Sequence, residues 1–182
     1  MRMKEDHMLN GQLKPGYNIQ VGTENNFVIG YDVFPNPTDT RTFAPHLENV
    51  QNRLKCTFKT VIADAGYGSE ENYDYLEEKE ITGIVKYPSY EKETKRSFKK
   101  KIFNAENWKY DAEQKEYTCP CGNPVPYKKT VTKKNESGYM QTYEVYQCDN
   151  CEGCPFRALC TKSEYGRMVQ RNEHRLEKKP KV

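Results

Sequence analysis

The stretch Thr60-Val61-Ile62-Ala63-Asp64-Ala65-Gly66-Tyr67-Gly68-Ser69 decides the fold. Its apolar run ends on a carboxylate, breaks at two glycines and opens an acidic amphipathic segment, a pattern that predicts a strand, a turn and a helix. Asp64 would then lie at the carboxyl end of a strand, where open α/β sheets present ligands and metals. A turn aspartate that bonds its own backbone is an equally good interpretation of this stretch alone.

The residues before this stretch predict a hairpin and a helix. Tyr17, Ile19 and Val21 alternate with polar residues, which indicates a half-buried strand. The run Phe27–Phe34 is apolar on both faces and predicts a second strand that lies deeper in a sheet. A helical stripe of apolar residues follows, at Phe43, Leu47, Val50 and Leu54.

The residues after the central stretch continue the alternation of helix and strand. Ser69 is a good helix N-cap, and Ile81–Tyr87 predicts another strand that ends before Pro88. A helix that crosses between two strands requires at least one parallel pairing. The predicted fold class is therefore α/β, a mixed sheet with helices packed on it.

Composition and charge indicate in which compartment the protein works and in which redox state its cysteines are. The chain has 182 residues with 35% hydrophobic residues, a mean hydropathy of -1.03 and a net charge of +3. No apolar stretch approaches the length of a membrane span and no signal region is visible at the N-terminus, which favours a cytoplasmic protein without a membrane partner. Its seven cysteines should then be reduced, and reduced cysteines favour metal ligation over disulfides.

Two basic runs predict contact with phosphate. Seven basic residues face three acidic ones over residues 91–109, and six face two over residues 167–182. Residues 97–103 interleave basic and aromatic side chains, which suits a nucleic-acid surface or an exposed edge strand protected by lysines. The predicted nucleic-acid-binding residues are Lys95, Arg96, Lys99, Lys100, Lys101, Arg171 and Arg175.

Six cysteines fall in one short region, at Cys119, Cys121, Cys148, Cys151, Cys154 and Cys160. Closely spaced thiols bind one ion from a tight turn, and residues 127–132 and 139–146 predict a hairpin between the two groups, a ribbon-like layout. Structural zinc is the favoured interpretation, with an iron–sulfur cluster, unmetallated thiols or disulfides as alternatives. Tetrahedral zinc needs four ligands, and the spacing does not choose which four of the six.

Two further residues that could bind metal or react are interpreted as having no functional role. His46 lies on the predicted first helix, where a packed or surface histidine is more common than a metal ligand. Cys56 stands alone and is interpreted as a small core residue or an inert thiol.

Several stretches together resemble bacterial insertion-sequence transposases of the DDE type. They are Gly16–Gln20, Asn36–Thr40, Ala63–Ser69, and Cys148–Pro155 with Cys160. The resemblance implies an RNase H-like fold with a cysteine-rich insertion, in which two aspartates and a glutamate hold two Mg²⁺ or Mn²⁺ ions for cleavage and joining of DNA at transposon ends. Asp64 matches the second aspartate, whereas Asp39 matches a recurrent family aspartate that we interpret as a helix cap.

The first aspartate and the glutamate that the resemblance implies have no good match in this sequence. The first aspartate would lie on a strand before the hairpin, where only Glu5 and Asp6 are acidic and no strand pattern surrounds them. Glu173 and Glu177 are the last options for the glutamate, in a basic run without a convincing helix. We therefore expect an internal transposase fragment that is inactive alone.

Two alternatives remain open at this point. One is a non-enzymatic zinc-ribbon module that binds nucleic acid through the basic runs. The other is an inactive remnant that forms a homo-oligomer or aggregates through an exposed sheet edge. The predicted organisation is an irregular segment (1–16), a partial catalytic core (17–90), a basic connector (91–118), a cysteine-rich metal-binding insertion (119–163) and a basic tail (164–182).

Overall fold

The computed structural model describes Leu9, Gly11 and residues 15–178, which fall into two compact units. Unit 1 runs from Met1 to Pro88 and unit 2 from Ser89 to Val182. The predictions for Glu5 and Asp6 lie outside the described residues. Among the helices that are described, none is both long enough and apolar enough to cross a membrane.

Unit 1 contains two small sheets and two main helices. The antiparallel hairpin of β1 (Asn18–Glu24) and β2 (Phe27–Phe34) and the parallel pair of β3 (Thr60–Ala63) and β4 (Thr82–Val85) are separate two-stranded sheets. The predicted parallel pairing is therefore confirmed, and the single mixed sheet is replaced by two pairs. In chain order the elements are β1 (Asn18–Glu24), β2 (Phe27–Phe34), a 3-10 turn (Asp39–Arg41), α1 (Phe43–Leu54), β3 (Thr60–Ala63), a second 3-10 turn (Ala65–Tyr67), α2 (Glu70–Glu78) and β4 (Thr82–Val85).

The core of unit 1 lies between α1, α2 and the parallel pair. Ser69 caps α2 as predicted, because its hydroxyl accepts a hydrogen bond from the backbone N–H of Asn72 at 3.2 Å. The apolar stripes of both helices then meet the strand residues. The buried cluster consists of Phe43, Leu47, Leu76, Ile81 and Val85.

Helix α1 also lies directly on the hairpin. A Cβ atom added to Gly30 would stand 2.6 Å from a methyl carbon of Val50, so only glycine allows this approach. On the same side of the hairpin, Asp32 accepts a hydrogen bond from His46 Nδ1 at 2.6 Å and is paired with Arg53 at 2.9 Å. His46 is thus a packed helix histidine, as predicted.

The hairpin turns its apolar side chains away from α1. Gln20 is 2% exposed whereas Ile19 is 63% exposed, so the alternation is present but its polar side is the buried one. The prediction of a deeply buried second strand is wrong, because Phe27, Val28 and Val33 are all exposed. Glycines and a histidine–aspartate pair occupy the helix side, and strand period 2 then places the apolar positions outside.

Unit 2 is built on a five-stranded antiparallel sheet in sequence order β5-β6-β7-β8-β9. The predicted hairpin is confirmed as β7 and β8. A core of aromatic and apolar residues packs around Tyr146 and the buried Cys148. The elements are α3 (Tyr90–Thr94), α4 (Arg96–Lys99), a 3-10 turn (Ala105–Asn107), β5 (Lys109–Asp111), β6 (Glu116–Thr118), β7 (Pro124–Lys134), β8 (Met140–Gln147), α5 (Arg157–Cys160), β9 (Met168–Arg171) and α6 (Glu173–Glu177).

Two local expectations for unit 2 are corrected by this architecture. Residues 97–103 contain no strand, because α4 turns Phe98 into the protein and leaves the neighbouring lysines outside. Glu173 and Glu177 do lie on a helix, the short α6, which begins with Asn172 as a side-chain cap. The apolar anchor Phe98 and the cap at Asn172 explain why one turn of helix forms in each place.

Asp32→Ala should lower the free energy of unfolding of unit 1 by about 1–3 kcal/mol, because it leaves His46 and Arg53 without their shared acceptor. Urea denaturation followed by circular dichroism measures this change. Glu24→Ala, at the exposed end of β1, is the matched control and should stay within about 0.5 kcal/mol of the parent. An equal effect of the two substitutions would contradict the structural role of Asp32.

Candidate functional site

Asp64 follows the last residue of β3 and begins the 3-10 turn Ala65–Tyr67. Its Oδ1 accepts a hydrogen bond from the backbone N–H of Gly66 at 2.8 Å. The interpretation of Asp64 as a turn aspartate that bonds the local backbone is therefore confirmed. The carboxylate is exposed, and no described residue donates to its second oxygen. Asp64 therefore combines a fixed orientation with an accessible oxygen.

Asp39 is not a helix cap, which corrects the prediction. Thr38 is the N-cap of its 3-10 turn, and the Asp39 carboxylate instead accepts hydrogen bonds from Asn18 Nδ2 at 2.8 Å and Gln20 Nε2 at 3.2 Å. The amides of β1 reach this carboxylate because the polar side of the hairpin faces inward. Its partners on β1 could not be identified from the local sequence around Asp39.

The carboxylates of both aspartates lie close to Gly66. A Cβ atom placed on Gly66 would stand 3.0 Å from Asp39 Oδ2 and 3.0 Å from Asp64 Oδ1. Burial raises the pKa of Tyr67, and the charges of Asp39 and Asp64 raise it further. Its hydroxyl stays protonated and donates to Gln20 Oε1, so these groups form one connected network beside the end of β3.

The network does not amount to a complete metal site. Over the described part of the chain, no group of three or more histidine, cysteine, aspartate or glutamate side chains is arranged to hold a metal ion. The Glu173 carboxylate accepts a hydrogen bond from Arg171 Nη2 at 3.0 Å in unit 2. Asp39 and Asp64 thus supply oxygen donors of the type that Mg²⁺ and Mn²⁺ prefer, but too few for two ions.

The six clustered cysteines all line one small cavity in unit 2. Each comes from a turn or an element end. Cys119 starts a turn closed by the Gly122 N–H at 2.9 Å, and Cys160 ends α5. Cys148 follows β8 directly, where its N–H donates to the Arg167 carbonyl at 2.9 Å. The remaining lining residues include Phe103, Phe156, Arg157 and Arg167.

The thiols differ in their surroundings. Burial raises the pKa of Cys148 to about 12, whereas a hydrogen bond with Cys154 is the main reason that the pKa of the exposed Cys121 is raised. Cys151 Sγ accepts a hydrogen bond from the backbone N–H of Arg167 at 3.4 Å. Thiolates are the form that binds metal, so any metal binding here would release protons.

Arg167 holds the cavity wall together. Its guanidinium donates to the Cys160 carbonyl at 3.1 Å and stands 5.6 Å from the centre of the Trp108 ring. These contacts join the end of α5 to the aromatic core of the sheet. Sequence reasoning placed Arg167 only in a basic run, because its partners are backbone carbonyls and a ring that are distant in sequence.

The basic residues proposed for nucleic acid fall into two environments. Lys95, Arg96, Lys99, Lys100 and Lys101 are all exposed around the buried Phe98. The Arg171 side chain is only 17% exposed, pairs with Glu173 and lies 4.0 Å from the centre of the Tyr110 ring. Arg171 therefore has a structural role, while Arg175 lies exposed on α6.

Cys56 is exposed, contrary to the interpretation of a core residue. It follows the end of α1, where Lys55 adopts a left-handed conformation and terminates the helix. The turn carries Cys56 away from the core of unit 1. Of the two interpretations made from sequence, only the thiol without a packing role fits this position.

Gly166→Ala should destabilise unit 2 much more than Gly122→Ala. Both glycines have positive φ, but a Cβ on Gly166 would meet the Cys148 carbonyl oxygen at 2.2 Å, whereas nothing lies within 4 Å of one on Gly122. We expect Gly122→Ala to cost about 1–2 kcal/mol from backbone strain alone and Gly166→Ala roughly 2 kcal/mol more. Thermal and urea unfolding measure both, and equal losses would contradict the close approach at Gly166.

Comparison with known protein families shows to which family the chain belongs. Residues 2–164 match the model of the family described as Transposase DDE domain. No curated protein and no solved structure matches the chain. The family match contains the strand that precedes Asp64 and all six clustered cysteines. The chain belongs to the DDE-domain transposase family.

Proposed function

We propose that the chain supplies part of an RNase H-like catalytic domain that cleaves and transfers DNA strands, with Asp64 as a ligand for a divalent metal. The observation that carries the proposal is the Asp64 carboxylate, exposed and oriented at the carboxyl end of a parallel strand. DDE transposases use Mg²⁺ or Mn²⁺, and when bound these ions supply activation of the attacking oxygen and stabilisation of the leaving one.

The chain's own residues orient the acidic groups. The backbone N–H of Gly66 holds one oxygen of Asp64. The side-chain amides of Asn18 and Gln20 on β1 donate hydrogen bonds to Asp39, and the Tyr67 hydroxyl donates a hydrogen bond to the amide oxygen of Gln20. Each of these contacts fixes a side chain and leaves the second carboxylate oxygen of Asp64 available to bind a metal. This arrangement supports Asp64 as a ligand and Asp39 as the acceptor that fixes the β1 amides, of which Gln20 in turn holds Tyr67.

The donor set is incomplete for a two-metal centre. Among the residues that the structure describes, only two carboxylates converge at Gly66, and two ions need several more oxygen ligands than these provide. We therefore propose that the catalytic centre requires further residues and that the chain on its own does not cleave DNA. The DNA partner, the transposon end, belongs to the complete enzyme.

The isolated chain should not nick supercoiled plasmid DNA with Mg²⁺ or Mn²⁺ above the level of a mock purification from the same host, because its metal ligands are too few. The Asp64→Asn and Glu24→Gln variants should give the same background by gel electrophoresis. Nicking that is lost in Asp64→Asn and retained in Glu24→Gln would show that the chain is an active nuclease and overturn the proposal.

A second candidate function is favoured by the cysteine cavity. We propose that four of the six cysteines, which line one cavity but do not form a metal-binding group in the described residues, draw together around zinc. The metal would stabilise a ribbon-like unit whose exposed basic residues around Phe98 contact nucleic acid. The observation that carries it is the convergence of all six cysteines on one cavity from three separate chain segments. DNA affinity that falls steeply with salt and is unchanged by Asp64→Asn would favour this module over the catalytic role.

Chain purified under reducing conditions should contain bound zinc, measured by atomic emission. Removing it with a chelator should lower the free energy of unfolding of unit 2 by at least ~4 kcal/mol, because binding to the folded state alone adds its full free energy to stability. Cys148→Ser and Cys160→Ser should reduce the zinc content, while Cys56→Ser, in unit 1, should leave it unchanged.

Two results would contradict zinc at this site. One is a zinc-free chain whose melting is unaffected by added zinc or chelator. The other is visible absorbance with bound iron, which would assign the cysteines to an iron–sulfur cluster. Equal loss of zinc in the Cys56→Ser control would place the metal elsewhere.

A further inference from the structure

The side chain of Arg167 has one unused hydrogen-bond donor beside the cysteine cavity. Two of its guanidinium nitrogens donate to backbone carbonyls, Nη1 to Cys160 at 3.1 Å and Nη2 to Phe103 at 3.4 Å. The third nitrogen, Nε, is buried and has no hydrogen-bond partner. Among the described residues of unit 2, no other buried side-chain nitrogen or oxygen lacks a partner. A buried charged donor without a partner is unfavourable, so this nitrogen calls for an acceptor.

The wall of the cavity offers only sulfur as an anionic acceptor. Of the described residues that line it, none is an aspartate or a glutamate, and two are arginines, Arg157 and Arg167. An arginine keeps its positive charge at every physiological pH. The six cysteines are the lining side chains that can become negatively charged. Within the described wall, the positive charge is therefore compensated when cysteines are thiolates, the form that binds metal.

The main chain of Arg167 already contacts one of these sulfurs. Its backbone N–H donates to Cys151 Sγ at 3.4 Å, directly after the close approach of Gly166 to the Cys148 carbonyl. The guanidinium charge also reaches a second thiol. Burial raises the pKa of Cys160, and the positive charge of Arg167 acts in the opposite direction. Backbone and side chain of Arg167 thus both act on cysteine sulfurs.

The guanidinium is held in place by groups other than the cysteine thiols. The carbonyls of Phe103 and Cys160 hold two of its nitrogens, and its central carbon lies 5.6 Å from the centre of the Trp108 ring. These contacts come from three separate parts of the chain. A donor that is already oriented loses little conformational entropy when it forms one more bond, so it stabilises an acceptor more than a free surface arginine does.

We infer that Arg167 is a positioning residue of the metal centre, whose charge and Nε–H group stabilise the cysteine thiolates around the ion. This role rests on the proposed binding of zinc. Zn²⁺ with four thiolates carries two excess negative charges, and a guanidinium beside the thiolates compensates part of this excess. Residues that donate hydrogen bonds to the ligands of a metal orient those ligands and tune their affinity for the ion.

The test measures metal affinity and a cobalt spectrum in the full chain and its variants. Arg167→Gln should weaken zinc binding roughly 10- to 100-fold, measured by competition with a chromophoric chelator. With Co²⁺ in place of zinc, the sulfur-to-metal charge-transfer band should move to longer wavelength in Arg167→Gln. A thiolate that loses an N–H hydrogen bond gives up its electrons more easily, whereas loss of packing alone does not move the band.

Two further variants separate the charge from the hydrogen bond. Arg167→Lys keeps the charge but has no Nε–H group, so it should recover only part of the zinc affinity and leave the cobalt band displaced. Lys162→Gln removes a positive charge from an exposed residue close in sequence to Cys160 that does not line the cavity, so it should match the parent. Circular dichroism checks that each variant is folded.

The possible results distinguish the role of Arg167 from the binding of zinc. A parent chain that binds neither zinc nor cobalt overturns both. A parent that loads normally, with the same affinity and cobalt band in Arg167→Gln, overturns the role of Arg167 alone. Full recovery in Arg167→Lys overturns the Nε–H hydrogen bond, and an equal loss in Lys162→Gln overturns a local effect. Should Arg167→Gln fail to fold, the cobalt band of Arg167→Lys decides, and a band at the parent position overturns the inference.

Discussion

The hydrogen bonds of one buried amide determine how unit 1 is arranged. Gln20 lies in the middle of β1, is almost fully buried and contacts Asn18, Asp39 and Tyr67 through its side chain. A buried amide without such partners would cost about 1–3 kcal/mol, so the side of the strand that carries Gln20 must face the loops that satisfy it. The same bonds bring Asp39 and the loop of Asp64 to one place.

The orientation of Gln20 also fixes what the rest of the hairpin does. Because side chains alternate, the polar contacts inside force the apolar residues of β1 and β2 to the opposite side. The network around Asp39 and Asp64 and the exposed apolar side of the hairpin are therefore two results of one choice of strand side. In unit 2 a different solution is used, in which Tyr146, Cys148 and their neighbours bury the apolar side of a larger sheet.

The sequence predicted the helices and strands better than it predicted which of their faces are buried and what they contact. The strand before Asp64, the Ser69 cap, the parallel pairing and the β7–β8 hairpin all follow from local patterns, since each depends on neighbouring residues. The buried side of β1 did not, because Gln20 finds its partners Asp39 and Tyr67 through contacts distant in sequence. The pairing of Asp39 with β1 amides and the structural role of Arg171 were missed for the same reason. The local strand–turn pattern and the family resemblance together singled out Asp64 as a candidate ligand, and spacing alone singled out the cysteine group.

The division into two units has a consequence for synthesis. Each unit is contiguous along the chain, so every described contact within residues 15–88 joins groups that are synthesised before Cys119. Unit 1 can form the hydrogen bonds of its buried amide and pack its helices while the cysteine-bearing half is still being translated. The thiols of unit 2 then meet one another from a span of only 42 residues, Cys119 to Cys160, without interference from an unfolded N-terminal half.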